Sequence, residues 1–469
     1  MKKVTVQKHR LFFPAILLGI AITASLLVFN PVSSQTLSAD VVSDANRTGG
    51  TSQPQYQIFD IGVVQMGDSA SQGFRVSEGG IAVGRSIRTG GAQAFSWTQG
   101  GGIVGLPNIA ARPFCVSNGA NDGGLIVGTC ATTLFGSSRL PVIWQNGAVS
   151  QLPLPAGETL GDANDVNSAG VAVGSVNGGS LQKAVYYSGG TATLISQTTT
   201  NGSFFVTAFG VNDAGRVVGQ GIDPNNAARN VGIVYDIGNS SAFEVGALPN
   251  ANGALAFAVG NGGHVVGSSM MNQGSGLPFV WTQAGGIVAI PLAAGTSQGS
   301  ARAVNTAGWV VGNDSSAFSI PFLYDGTNTY RLADLIPAGT GWDLSMNTSS
   351  SALGISDTNV IVGTGVFNGT THAYAMVPVV TNVAVGGRIT TSGGNGIGNI
   401  IITVSGGNLP APLRTLSSSF GYFNFEGLQS GMTYTITVSS KRYTFSPPTQ
   451  MITPQGNVSN LSFMANPLP

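Results

Sequence analysis

Charged residues are scarce in this chain, and their scarcity excludes several kinds of function. The 469 residues include 19 Lys plus Arg and 19 Asp plus Glu, so the formal net charge is zero. Because the basic residues are few and scattered, no basic patch is available to neutralise a row of phosphates, and nucleic acid is not an expected partner. With only three His and two Cys, the sequence offers no cluster of metal ligands, and we predict neither a metal site nor a cofactor.

Helix-forming residues are also under-represented, because Gly, Ser, Thr and Asn stand where Lys and Glu are common in other proteins. Gly alone contributes 69 residues, while the hydrophobic fraction of 42% is ordinary. Gly and Asn are typical of tight turns, and Val, Ile, Thr and aromatic residues are typical of strands. The composition therefore predicts an all-β fold.

The first 39 residues have the layout of a signal for export. An apolar run over residues 11–29 follows four basic residues, Lys2, Lys3, Lys8 and Arg10. Small polar residues come next, so we predict a Sec-type signal peptide over residues 1–39, cleaved near residue 34 or 39, and a secreted or cell-surface protein. The alternative is an uncleaved anchor, which would be the chain's only contact with a membrane. Residues 40–54 lack periodic apolar positions and indicate a flexible leader.

One phrase recurs along the middle of the chain, most clearly as AFGVNDAGRVVG at 208–219 and ARAVNTAGWVVG at 301–312. Seven copies end in a glycine, and these glycines are 44, 46, 45, 48, 45 and 51 residues apart: Gly84, Gly128, Gly174, Gly219, Gly267, Gly312 and Gly363. A second phrase follows each copy and ends in an aromatic residue or Met: Trp97, Trp144, Tyr187, Tyr235, Trp281, Tyr324 and Met376. We interpret the large residues at this position as packing between repeats.

Each repeat divides into four short alternating segments separated by turn residues, which predicts a four-stranded antiparallel meander. A period of about 45 residues is typical of β-propeller blades, so we predict a seven-bladed β-propeller over residues 55–379. The last repeat lacks its fourth strand, whereas YQIFDIG at 56–62 precedes the first repeat and resembles a fourth strand. We expect residues 56–62 to pair with residues near 372–377 and close the ring.

These phrases resemble the extracellular HAF-repeat proteins of bacteria. The similarity is carried by a Y-x-x-x-D-I-G opening at 56–62, by the V-N-x-x-G-x-V-V-G hairpins, and by His372, Ala373 and Tyr374. It covers residues 56–378. The resemblance implies an exported propeller and hardly any defined activity.

A different pattern begins near Val383, where the 45-residue phrase stops. Alternating strands with glycine turns predict a small Greek-key β-sandwich over residues 383–465. The segment resembles the carboxypeptidase-regulatory-like (transthyretin-like) domain, through Gly421, Tyr422, Phe423 and Phe425, followed by Gly427, Leu428, Gly431 and Tyr434. The resemblance implies an accessory domain, not a peptidase.

Residues for chemistry are few, and none is assigned a catalytic role. A hydrolase triad needs a His, and beyond the export segment only His264 and His372 remain; we interpret both as solvated residues within repeat strands. Acids such as Asp122, Asp165 and Asp213 lie in or beside N-x-x-G hairpins, where carboxylates cap backbone groups. A sialidase-like site would need arginines from distant repeats, Arg85, Arg88, Arg229 and Arg302, to converge, which we do not expect.

Cys115 and Cys130 are candidates for a disulfide. If Asp122 and Gly123 form the turn of the second repeat, the two cysteines face each other across its hairpin. The oxidising environment of an exported protein favours a disulfide between them. Counting from this turn places them at a hydrogen-bonded pair, which is a less favourable site for a bridge.

The irregular connections predict where a partner binds, because variable loops on a rigid scaffold often carry recognition. The second-to-third and fourth-to-next connections differ among repeats, notably over 85–93, 129–140, 220–230 and 336–350. The binding candidates on this variable-loop face are Arg85, Arg88, Asp223, Arg229, Trp342 and Asp343. Our leading hypothesis is a non-catalytic binding or adhesion protein for an extracellular glycan or protein.

Two alternatives stay open. One is a lyase or hydrolase of extracellular polysaccharide, with a site near Asp162, Asp223, Trp342 or Asp343. The other is a purely structural protein of the envelope or matrix.

Overall fold

Strands joined by tight turns form most of the regular structure in this computed structural model. It describes residues 53–133, 136, 138–179, 181–271, 276–315, 319–345, 349–379, 382–407, 409–454 and 456–468. The predicted export segment, residues 1–39, lies outside these residues, as does most of the predicted leader. Within the described ranges, no helix is both long enough and apolar enough to cross a membrane.

The repeats fold into antiparallel units, here numbered 1 to 7 in chain order. The strands of units 1 to 3 are Ala70–Val76, Ala82–Arg88, Gly91–Thr98 and Gly102–Gly105; Phe114–Ala120, Ile126–Ala131, Arg139–Gln145 and Ala148–Gln151; Leu160–Val166, Ala172–Asn177, Lys183–Ser188 and Thr191–Leu194. Those of units 4 to 6 are Phe204–Val211, Arg216–Asp223, Asn226–Asp236 and Ser241–Glu244; Ala251–Val259, Val265–Met271, Gly276–Thr282 and Gly286–Ala289; Gln298–Val304, Val310–Ser315, Ser319–Tyr324 and Thr329–Arg331. A 3-10 helix, Leu332–Leu335, follows unit 6. The predicted all-β fold built from four-stranded antiparallel meanders is confirmed.

Unit 7 takes strands from both ends of the repeat region. Its own strands are Ser351–Ile355, Ile361–Phe367 and Thr370–Pro378. The closing strand, Tyr56–Gly62, pairs antiparallel with the last of these, from Tyr56 opposite Pro378 to Gly62 opposite Ala373. His372 adds a side-chain link, because its Nδ1 lies 2.8 Å from Oδ1 of Asp60 in the closing strand.

The first strands of the units contact one another in chain order, and the first strand of unit 7 contacts that of unit 1. Because the contacts return to their starting point, the seven first strands surround a common axis. The turns between first and second strands lie at one end of these strands, here called the turn face. The connections from second to third strands lie at the other end, on the variable-loop face.

Side chains of neighbouring units share their hydrophobic cores. Trp144 of unit 2 is buried to 1% exposure and clusters with Val83 and Ala94 of unit 1. Trp281 of unit 5 clusters in the same way with Val218 of unit 4. The large residues that end the second phrase therefore pack between units, as predicted.

An asparagine at the start of the hairpin turn joins neighbouring units. Oδ1 of Asn212 accepts the N–H of Arg216 at 2.9 Å, which closes its own turn, and its Nδ2 donates to the carbonyl of Gly260 in unit 5 at 3.1 Å. The equivalent residues of units 2, 3 and 6 donate in the same way to the next turn: Asn121, Asn167 and Asn305. The Asn of the repeated V-N-x-x-G phrase is therefore a connection between units as well as a turn residue.

Two predicted irregular connections are partly regular in the structure. Residues 220–230 extend the central hairpin of unit 4, with Asp223 opposite Asn226. Within 336–350, a short strand, Trp342–Asp343, pairs with Phe367 and Val366 of unit 7. Part of each segment therefore satisfies its backbone hydrogen bonds by adding to an existing sheet.

The two cysteines lie opposite each other in unit 2 and form a disulfide, with their Cα atoms 4.1 Å apart. The pair joins the first and second strands of the same hairpin.

After unit 7 the chain forms two further four-stranded sheets. In spatial order, the first contains Tyr422–Gln429, Asn382–Thr391, Val458–Pro467 and Tyr443–Ser446, and the second contains Leu413–Leu416, Ile401–Gly406, Tyr434–Ser439 and Thr449–Ile452. Buried side chains of both sheets, such as Ile389 and Ile436, form one hydrophobic cluster.

The closing strand yields a first prediction. A chain beginning at residue 63 should melt well below one beginning at residue 53, because removing residues 53–62 exposes the edge of Thr370–Pro378 and removes the buried Tyr56 side chain. Thermal unfolding followed by circular dichroism measures the difference. Equal melting temperatures would show that the closing strand does not stabilise unit 7.

The asparagine connection yields a second prediction. Asn212→Ser should retain the turn, because Ser77 and Ser356 occupy this position in units 1 and 7 and accept the same N–H. It loses the donor to Gly260, and we expect a loss of about 1 kcal/mol of unfolding free energy in urea. Asn212→Ala, the matched variant that loses both bonds, should cost more. If Asn212→Ser is as stable as the unchanged chain, the link between units contributes nothing.

Candidate functional site

A β-bulge recurs at one place in the first strand of every unit. The pairing of first and second strands skips one residue there: Phe74, Asn118, Asn164, Phe209, Phe257, Arg302 and Leu353 in units 1 to 7. A bulge redirects the side chain of the extra residue. The seven bulge residues therefore share one structural position while differing in chemistry.

The repeated glycines explain why the bulge forms where it does. Each one pairs with the residue just before the bulge, as Gly219 does with Ala208. A Cβ on Gly219 would overlap the carbonyl oxygen of Thr207, and a Cβ on any of the other six glycines would overlap a backbone oxygen in the same way. Only glycine permits this approach. The glycine that ends each repeated phrase therefore allows the first strand to bulge at this point.

The bulge side chains meet around the axis and line a cavity of about 370 Å³, which we call the chamber. Its lining consists of Phe74, Arg75, Asn118, Asn164, Phe209, Phe257, Arg302 and Leu353. The rings of Phe209 and Phe257 lie 5.5 Å apart. Three phenyl rings, one Leu, two amides and two guanidinium groups give the chamber an apolar wall with a few polar groups, which is the usual composition of a small-molecule site.

Arg75 crosses the axis and limits the chamber on the turn side. Its Nη2 donates to the carbonyls of Phe209 and Phe257 at 3.3 Å each, so unit 1 reaches units 4 and 5. Five other units have Gly or Ala at the position after the bulge, which leaves room for this side chain: Gly119, Gly210, Ala258, Ala303 and Gly354. Since Arg75 lies between Phe74 and the turn, the chamber is on the side of the variable-loop face.

Arg302 carries a half-buried charge in the chamber wall. Its guanidinium lies over the ring of Phe257, 4.4 Å from the centroid. Its Nε is buried and has no hydrogen-bond partner among the described residues. Burial, with a smaller contribution from the charge of Arg75, lowers the pKa of Arg302 to about 10.

A second, smaller cavity of about 100 Å³ lies beyond Arg75, at the turn face. Its walls include the carboxylates Glu78, Asp122, Asp165, Asp213 and Asp357. Burial, followed by the charges of the other four carboxylates, raises the pKa of Glu78 to about 7. Burial also raises the pKa of Asp165, an effect opposed by Arg75 and by backbone N–H groups of Val211 and Val166.

The turn acids cap backbone groups, but mostly those of a neighbouring unit. Asp122 accepts the N–H of Gly79 at 2.7 Å, and Asp213 accepts that of Ser168 at 2.9 Å. Asp165 accepts the N–H of Val211 in the next unit as well as that of Val166. These carboxylates are engaged in joining the units.

The residues predicted for binding lie in separate places. Arg88 forms an ion pair with Asp68 at 3.2 Å, and Arg229 forms one with Asp223 at 3.1 Å. Arg85 lines a separate cavity of about 230 Å³, which shares Asn118 with the chamber.

The predicted pair of Trp342 and Asp343 is held within unit 7. Trp342 stacks on Phe367, with ring centroids 4.9 Å apart, because the short strand that carries it joins the sheet of unit 7. Oδ1 of Asp343 accepts the N–H of Ser345. Asp162, another residue considered for chemistry, is paired with Arg139 at 3.2 Å.

Both histidines are half-buried. His264 lies in the turn just before Val265–Met271, its Nδ1 is buried without a hydrogen-bond partner among the described residues, and burial lowers its pKa. His372 is held by Asp60. Neither lines the chamber.

Sequence reasoning missed the chamber, although a signal for it is present. The position three residues before the turn Asn is occupied by Phe, Asn, Arg or Leu in different repeats, whereas the positions on either side of it are mostly Gly or Ala. Variation at one position of a regular repeat is the mark of a recognition surface. Arg302 was considered only for a cluster with distant arginines, and that cluster does not form: Arg85, Arg88 and Arg229 do not line the chamber.

No protein-family model and no curated protein matches this chain. Among solved structures, virginiamycin B lyase from Staphylococcus aureus is similar at 11% identity and a TM-score of 0.44, over 70% of this chain and 100% of its own. Oligogalacturonate lyase from Vibrio parahaemolyticus is similar at 11% identity and a TM-score of 0.44, over 71% and 98%. TolB from Acinetobacter baumannii is similar at 9% identity and a TM-score of 0.37, over 67% and 65%. Similarity of this degree carries no argument about function.

The carboxylates of the turn face yield a third prediction. The folded protein binds a proton on Glu78 up to about pH 7, whereas an ordinary Glu loses it near 4.5. Stability should therefore fall as the pH rises from about 4.5 through 7, because the unfolded chain releases that proton more readily. Glu78→Gln should flatten this part of the melting-temperature profile, and the exposed Glu426→Gln should leave it unchanged. Parallel profiles for Glu78→Gln and the unchanged chain would contradict the effect of the carboxylate cluster.

Proposed function

We propose that this chain is an exported, non-catalytic binding protein whose ligand site is the chamber. In this proposal units 1 to 7 are the blades of a seven-bladed β-propeller, and the two C-terminal sheets form a Greek-key sandwich that serves as a spacer or attachment module. Export is inferred from the N-terminal sequence. The ligand enters from the variable-loop face, because Arg75 limits the chamber on the other side.

The closed order of contacts supports the propeller. Each first strand contacts its two neighbours, and the closing strand completes unit 7. Arg75 of unit 1 donates hydrogen bonds to units 4 and 5, which are the two units opposite unit 1 in a ring of seven. A ring leaves no large unpaired edge and positions seven side chains around one axis.

The single observation that carries the binding function is the chemical variety of the bulge residues. The turns and glycines repeat with little change, whereas the bulge position carries Phe, Asn, Arg or Leu. A purely structural ring has no need for such variety at its axis. We therefore favour recognition of a specific ligand over a structural role.

The lining of the chamber also favours binding over chemistry. Its eight described residues include no carboxylate, His, Ser, Cys, Tyr or Lys, so it offers neither a general base nor a nucleophile. The acids considered for a lyase or hydrolase, Asp162 and Asp223, are in ion pairs with Arg139 and Arg229.

A binding screen with two matched variants tests this proposal and is the fourth prediction. Oligosaccharides, short peptides and small aromatic compounds are tested by calorimetry against the unchanged chain, Phe257→Ala and Trp342→Ala. We expect any ligand found to lose at least about tenfold in affinity with Phe257→Ala, since the ring leaves the chamber wall. Trp342→Ala removes an aromatic residue outside the chamber and should leave affinity unchanged.

Two results would contradict the proposal. One is a ligand that depends on Trp342 and not on Phe257. The other is turnover of an oligosaccharide in the same samples, measured by release of new reducing or unsaturated ends. The second result would favour the lyase or hydrolase alternative.

A further inference from the structure

The chamber carries a positive charge, that of Arg302, which the described residues do not neutralise. None of the ion pairs among these residues includes Arg75 or Arg302. The charge of Arg75 lowers the pKa of Asp165, and this carboxyl lines the cavity at the turn face. Arg302 has no such partner. A half-buried cation without a counter-charge has a desolvation cost, and a bound anion would offset it.

Arg302 has hydrogen-bond capacity to offer a ligand. Its guanidinium face rests on Phe257, its Nε is buried without a partner, and none of the side-chain hydrogen bonds among the described residues uses its Nη groups. Each amide of the chamber already donates an N–H to a backbone carbonyl: Asn118 to that of Ala163 at 2.9 Å, and Asn164 to that of Ala208 at 2.8 Å. Arg302 is therefore the donor best placed to hold a negatively charged group.

The rest of the wall is suited to an apolar group. Phe74, Phe209, Phe257 and Leu353 supply aromatic and aliphatic surface around the same cavity. A ligand that carried only charge would leave this surface in contact with water. A ligand that carried only an apolar body would leave Arg302 unpaired.

We propose that the chamber binds a monoanion, specifically a carboxylate, that is attached to an aromatic or aliphatic group. The carboxylate lies at Arg302, and the apolar group packs against Phe209, Phe257 and Leu353. Guanidinium groups bind carboxylates through parallel charge-assisted hydrogen bonds, and phenyl rings pack well on one another. This inference rests on the proposed binding function and names the chemistry of its ligand.

Two sources supply this chemistry: a free aryl or alkyl carboxylic acid, and the C-terminus of a peptide that ends in an apolar residue. Both present a carboxylate next to an apolar side group. The experiment below includes a probe for each.

Three probes of similar shape, one negative, one neutral and one positive, test the inference and give the fifth prediction. Affinities are measured by calorimetry at pH 7 for 3-phenylpropionate, 3-phenylpropanamide and 3-phenylpropan-1-amine. We expect the acid to bind at least about tenfold more tightly than the amide, in line with the strength of a charge-assisted hydrogen bond, and the amine to bind most weakly. Acetyl-Ala-Ala-Phe as free acid and as amide tests the peptide source in the same way.

Variants then connect the preference for an anion to Arg302. Arg302→Gln should reduce the ratio of acid affinity to amide affinity to about one, with little change for the amide, and Arg302→Lys should restore part of it. Arg88→Gln, which removes an arginine already paired with Asp68, should leave every affinity unchanged. Melting temperatures establish that each variant is folded.

The outcomes separate this inference from the proposed function. If the amides bind as tightly as the acids, and Phe257→Ala still abolishes binding, the chamber is a site but its ligand is not an anion. If no probe of the series binds, the inference is wrong, and the broader screen with Phe257→Ala decides the proposed function. If the free peptide acid binds and 3-phenylpropionate does not, the ligand is a peptide C-terminus.

Discussion

The asparagine side chain at the start of the hairpin turn is the interaction on which the arrangement of the units depends most directly. Its oxygen closes the turn of its own unit and its nitrogen donates to the backbone of the next, as Asn212 does to Arg216 and Gly260. Side-chain amides suit this double role because they carry both an acceptor and two donors. Where another residue takes the position, as Ser77, Gly260 and Ser356 do, the shared hydrophobic cores and the closing strand maintain the contact between units.

A second constraint leads from the repeat to the site. The glycine that ends each phrase permits a carbonyl of the first strand to approach closely, and the first strand bulges at that point. The bulge redirects one side chain per unit toward the axis. Backbone geometry thus determines the position of the chamber walls, while the residue at the bulge determines their chemistry. The chemistry of the chamber can therefore change at a few positions without altering the turns or the cores between units.

Much of the fold follows from the sequence, and most of the site does not. The spacing of Gly84 to Gly363 indicates meanders, and the missing fourth strand of unit 7 indicates the pairing partner of Tyr56–Gly62. Alternation of apolar and polar residues does not reveal a bulge, because one extra residue shifts the pattern only within a single strand. Arg75 and Arg302 belong to repeats that are far apart in the chain, and only the contact between the last and the first unit brings them to one cavity. The contacts of the predicted loop candidates do not follow from the sequence either: Asp223 and Arg229 pair with each other, and Trp342 packs on Phe367 in an added strand.

The location of the bound ligand tests the account most directly. Crystals of the full chain soaked with 3-(4-bromophenyl)propionate would report the bromine position through its anomalous signal. The account predicts a peak within the ring of bulge residues, near Phe209 and Phe257, with the carboxylate in density at Arg302. A peak on the variable-loop face beside Arg229 or Trp342, with the chamber unchanged, would contradict it.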